Sequence, residues 1–86
     1  MNINELIAIV KIKLNKNIII QNLKVEDKSF LHKNHEGHQE GKFHLKLTIK
    51  SGELAKFSKI VSTKIVYSVL SVELKKNIHS IQILLN

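Results

Sequence analysis

From Phe43 to Lys50 apolar and polar residues alternate without a break, and that pattern limits what a chain of 86 residues can become. Phe43, Leu45, Leu47 and Ile49 fall on one side, and His44, Lys46, Thr48 and Lys50 on the other. A period of two is the signature of a β-strand with one buried face. His44 is placed by this alternation on the outer, basic side, as a surface residue. A sheet that is apolar on one side must be covered there, so the rest of the chain has to supply neighbouring strands and helices to lie over them.

Those elements are legible. Residues 2–14 predict a helix, with Ile3, Leu6, Ile7, Val10 and Leu14 at helical spacing and Ile9 and Ile12 widening the stripe. Asn2 and Glu5 stand as the two halves of a capping box, and Asn15 and Asn17 mark the end. The β-branched run from Ile18 to Val25 predicts a strand bounded by Asn17 and Asp27. Residues 26–42 are polar, hold Gly37 and Gly41, and predict a loop long enough to suggest a function. After the Ser51–Gly52 turn, helical periodicity returns from Ser58 to Lys76 through Val61, Ile65, Val69 and Val72. Ser62 and Thr63 offer a second cap, so that a short helix could precede the main one. Lys75 and Lys76 complement the negative end of that helix, and Asn77 terminates it. Residues 78–85 predict a third strand, with Ile81 and Ile83 alternating against Ser80 and Gln82.

The order implies a single α+β domain over residues 1–86, a mixed three-stranded sheet with helices packed on one face. Strands one and two pair antiparallel, and strand three returns parallel through a helical crossover.

Composition removes several classes of function. There is no cysteine, hence no disulfide framework, no redox CxxC and no thiolate metal site from this chain alone. The serines include no G-x-S-x-G elbow, the seven acids form no paired-carboxylate pattern, and no glycine-rich phosphate cradle is present, so an enzyme is not expected. No apolar run reaches the roughly 18 residues of a membrane span, and the N-terminus does not read as a signal peptide, which predicts a cytoplasmic protein with no membrane partner. The net charge of +7 favours an anionic partner, yet all 14 basic residues are lysine. Without arginine the chain lacks the commonest reader of guanine edges, so any DNA binding is expected to be weak, non-specific and salt-sensitive. The abundance of Lys, Ile and Asn also fits an AT-biased coding sequence.

Histidine is the remaining chemical signal. His32, His35, His38 and His44 crowd into thirteen positions, and His79 stands one residue into the third strand. If strands two and three run parallel, their starts lie at one end of the sheet, which brings His79 near the loop histidines. Imidazole is a common ligand for Zn, Ni, Cu and Fe. The spacing matches no zinc-finger or H-E-x-x-H pattern, and the loop histidines read equally as solvated residues. His79 shares parity with Ile81 and Ile83, so it reads either as a ligand or as a half-buried strand histidine held by a backbone group.

The run Val25-Glu26-Asp27-Lys28-Ser29, the strand Phe43-His44-Leu45-Lys46-Leu47, the helix Ile65-Val66-Tyr67-Ser68-Val69-Leu70 with Glu73-Leu74, and Ile78-His79-Ser80-Ile81 resemble the BolA family in order and spacing. The resemblance runs from about Ile3 to Ile83. It implies an αββααβ fold like a class II KH domain. It also implies a non-enzymatic adaptor that pairs with a monothiol glutaredoxin in iron–sulfur cluster trafficking or iron and redox regulation. The [2Fe-2S] cluster would be shared with the glutaredoxin cysteine and glutathione, and none would be bound tightly by this chain alone. The two ligands implied on this side are His79 and one loop residue: His32 counting forward from the first strand, His35 counting back from the second, with His38 as a substitute.

The other reading is a KH-like nucleic-acid-binding transcriptional regulator, with Lys46, Lys50, Lys56, Lys59 and Lys64 as phosphate contacts. Ser62-Thr63-Lys64 stands where many family members carry Arg-His-Arg, and Lys56 where a glycine is usual. Both departures fall in the region proposed to approach DNA. There is also no GxxG loop and no aromatic stacking platform.

Overall fold

A computed structural model describes residues 1–29 and 42–86. Helix α1 spans Ile3–Asn17, β1 Asn22–Asp27, β2 Phe43–Lys50, α2 Lys59–Val69, α3 Ser71–Lys76 and β3 Ile78–Leu85, with a 3₁₀ turn at Leu54–Lys56. The strand order is β1-β2-β3, with β1 antiparallel and β3 parallel to the central β2. The α+β expectation therefore holds, as do the limits of β2 and β3.

The sequence explains the layers. Leu45, Leu47 and Ile49 are buried on the covered face of β2. Leu6, Val10 and Leu14, one helical turn apart, close over them from α1, and Val66 and Leu70 from the other helical segment. Asn2 opens α1 as expected: its Oδ1 accepts from Glu5 N at 2.8 Å, and its Nδ2 donates to Glu5 Oε1 at 3.2 Å. Ser58 caps α2 by accepting from Val61 N at 3.2 Å. Ser51 ties the turn after β2 to the chain leaving α1, donating from Oγ to Ile19 O at 2.7 Å and accepting from Leu54 N at 3.1 Å.

Four expectations are corrected. The apolar stripe of α1 is narrower than predicted, because Ile12 points to solvent at 65% exposure. The first strand starts four residues later than predicted: Asn22 already pairs with Lys50, the last residue of β2, and Gln21 N donates to Lys50 O at 2.8 Å, so Ile18 to Ile20 lie beyond the end of the partner strand. It also runs on through Glu26 and Asp27, opposite Lys46 and Leu45, which shortens the expected loop. The break in the second helical segment falls at Leu70, not at Ser62 and Thr63. Ser62 is instead buried inside α2, where its Oγ donates to Leu54 O at 2.8 Å and fastens the 3₁₀ turn.

The two edges of the sheet differ. β1 carries Lys24, Glu26 and Asp27, whereas β3 contains no charged residue.

One charge is buried in the helical layer. Glu73 of α3 is 5% exposed; its Oε2 accepts from Lys13 Nζ of α1 at 2.7 Å, and its Oε1 has no hydrogen-bond partner among the described residues. The pair bolts α3 to α1, and its loss from one side leaves a desolvated carboxylate. Lys13→Met is therefore expected to destabilise the protein more than Glu73→Gln, which removes the charge together with the pair, as read by urea midpoints at neutral pH. In the central strand, Leu47→Ala should cost about 2–5 kcal/mol with an unchanged m-value, since Leu47 is fully buried.

Candidate functional site

At the start of the parallel pair, Phe43 lies opposite Ile78 but His44 lies opposite Ser80. One step along β2 thus corresponds to two along β3, and the extra residue is His79. This is a β-bulge, and it resets the alternation of β3. Ile78 stays on the core face at 2% exposure, Ile81 and Ile83 return to that face, and His79 and Ser80 are both exposed on the opposite side. The expectation that His79 shares a face with Ile81 and Ile83 is corrected by this single inserted residue.

His44 is corrected too. Predicted at the surface, it is 6% exposed. Its ring lies 4.8 Å from that of His79, centroid to centroid, with the planes tilted by 36°. That separation is within the range of packed aromatic pairs. Nδ1 of His44 and Oγ of Ser80 share a hydrogen bond of 2.6 Å. The inner imidazole is thereby oriented by β3 itself, and the outer one rests on it.

The backbone beneath is fixed by the end of β1. Asp27 Oδ1 accepts from Ser29 N at 2.9 Å, the Ser29 hydroxyl accepts from His44 N at 3.0 Å, and Lys28 N donates to His44 O at 2.7 Å. The Asp-Lys-Ser run is therefore a clamp that holds the first residues of β2 in place. On the other side, Phe43 N donates to Asn77 O at 2.9 Å, so the residue before β3 is held as well.

Of the predicted ligands, His79 is at the site, and His32, His35 and His38 lie outside the described residues. Among the described residues no three His, Asp or Glu side chains converge as a metal site. The lysines of the nucleic-acid reading are divided between layers. Lys46 and Lys50 lie on the outer face of β2, and Lys56, Lys59 and Lys64 belong to the helical layer on the covered side.

The charged residues on the outer face form a local balance. Glu26 pairs with Lys28 at 3.1 Å and Lys24 at 3.8 Å and sits opposite Lys46 in the ladder. The hydrogen bond from Lys28 holds its carboxyl below the usual value of 4.5; desolvation opposes it in part, and the charges of Lys24, Lys28 and Lys46 add to the lowering.

Solved structures share this architecture. The BolA domain of SufE1 from Arabidopsis thaliana superposes with a TM-score of 0.77 at 27% identity, covering 100% of this chain and 93% of that one. BolA1 from the same plant gives 0.77 at 24% identity, covering 92% and 87%. A bol-like protein from Babesia bovis gives 0.71 at 20% identity, covering 91% and 79%. No curated protein matches the chain by sequence alone. The fold is that of a BolA domain. The sequence model of the family described as BolA-like protein matches residues 14–86, and the chain belongs to that family.

The lowered carboxyl of Glu26 favours the folded state above its ordinary titration range, and that contribution is lost as pH falls through the depressed folded value. Glu26→Gln should accordingly flatten the acid limb of the stability curve below about pH 4.5, measured by urea unfolding between neutral and acid pH.

Proposed function

We propose that this BolA-like chain is a non-enzymatic adaptor that pairs with a monothiol glutaredoxin and carries part of the ligand set of a shared [2Fe-2S] cluster. The observation that supports the reading is the bulge that turns His79 out of the core at the mouth of the β2–β3 pair, with His44 packed against its ring. A histidine directed outward, on a backbone pinned by pairing on β2, suits a cluster shared between two proteins. The donor set fits as well. A chain without cysteine supplies imidazoles, and the glutaredoxin and glutathione supply the sulfur.

In this reading the cluster is cargo. His79 is one ligand, and His32, His35 or His38 provides the second. His44 is a positioning residue: its bond to Ser80 and its contact with His79 set the direction of the outer ring. Histidine in place of thiolate raises the reduction potential of an iron centre, and a protonated imidazole cannot ligate, so the shared form should be released more easily at mild acidity.

His79→Ala should convert the visible circular dichroism of the reconstituted heterodimer to that of the glutaredoxin alone, with complex formation checked separately by sedimentation. Single replacements of His32, His35 or His38 should only shift the spectrum or hasten cluster loss, because neighbours can substitute. An unchanged spectrum and cluster lifetime for His79→Ala would return that residue to a purely structural role.

A further inference from the structure

The inner side of α2 is accounted for by the core, but its outer side is not. Ser62 and Val66 are buried, whereas Ile60 is 70% exposed and Tyr67 42%. Ile60, Lys64 and Tyr67 follow one another at i, i+4 and i+7, so they form one stripe along the helix. Together with Lys59 and Thr63 they form an open, shallow and largely apolar surface on the helix. Phe57 and Val61 add exposed apolar surface beside it, at 49% and 42%. Scattered exposed apolar residues are ordinary; Phe57, Ile60, Val61 and Tyr67 instead cluster at and just before one helix, interleaved with lysines, and such a cluster marks a contact surface.

The charge around the stripe identifies what would cover it. No acidic residue occurs between Leu54 and Val72, while Lys56, Lys59 and Lys64 are exposed and form no ion pair among the described residues. We propose that the outer face of α2 is a docking site for an acidic amphipathic helix of a partner protein. Such a helix lays an apolar ridge between Ile60 and Tyr67 and sets carboxylates against Lys59 and Lys64. A second copy of this chain would bring lysines against lysines. A nucleic-acid backbone would meet the lysines but gain nothing from covering isoleucine and tyrosine. This helix face lies on the helical side of the sheet and His79 on the other face, so the two surfaces can be occupied together. The proposal does not depend on the role given to His79.

The test uses the full chain, isotope-labelled, and a fluorescent helical peptide of about 16 residues with leucines at i, i+4 and i+7 flanked by glutamates. Binding should perturb amide signals of residues 57–67 and leave His79 unmoved. The exposed double variant Ile60→Ser/Tyr67→Ser, with folding verified by circular dichroism, should weaken binding about tenfold or more. Lys64→Glu should weaken it as well and be rescued by a peptide with lysine at the facing position. The proposal is overturned if the peptide does not bind, or if a scrambled peptide of the same composition binds equally, which would reduce the surface to charge alone. It is also overturned if a short DNA duplex or phosphatidylglycerol vesicles perturb residues 57–67 more strongly than the peptide, or if sedimentation shows this face buried in a homodimer.

Discussion

Everything in the molecule hangs on the central strand. β2 is paired along both sides, antiparallel to β1 and parallel to β3, and its covered face carries Leu45, Leu47 and Ile49 into the core. Leu6, Val10 and Leu14 of α1 and Val66 of α2 belong to the same buried cluster as that face. Even the candidate site belongs to it. His44 is the second residue of β2, clamped through its backbone by Lys28 and Ser29 and through its ring by Ser80.

A single inserted residue separates the buried from the exposed side chains on the neighbouring strand. Without the bulge at His79, Ile78 and Ile81 could not both face the core, because three steps along an ideal strand reverse the side. The bulge reconciles them and, by the same geometry, presents His79 and Ser80 together on the outer face. The imidazole direction is therefore a by-product of keeping two isoleucines buried, and it is as stable as the core is. This makes β3 an anchored platform for His79, in contrast to a histidine carried only by a turn.

Most of the architecture was legible because period is a strong signal. The alternation from Phe43 to Lys50 and the helical spacing of Leu6, Val10 and Leu14 correspond directly to buried faces. What was not legible depended on pairing between distant segments. The start of β1 is set by where β2 ends, which no local property of Ile18 to Ile20 reveals. The break at Leu70 lacks a glycine or proline to announce it. The bulge likewise has no glycine, so counting parity from Ile81 back to His79 gives the wrong face, and the burial of His44 beside it follows unseen. Asp27, Lys28 and Ser29 read as the beginning of a loop, and only the hydrogen bonds to His44 identify them as a clamp.

The uncharged edge strand gives the excess of lysine a colloidal role. A strand such as β3, with isoleucine and leucine and no charge along its length, is a template on which another strand can add, and the usual defence is a lysine on the edge itself. Here that defence is delocalised. The net +7 keeps two copies apart before their edges can meet, and it acts over a Debye length of about 8 Å at physiological ionic strength. The tendency of copies to stay apart is thus written in the ionic composition of the surroundings, and it narrows wherever salt or a polyanion neutralises the surface while leaving an edge strand that is unpaired among the described residues.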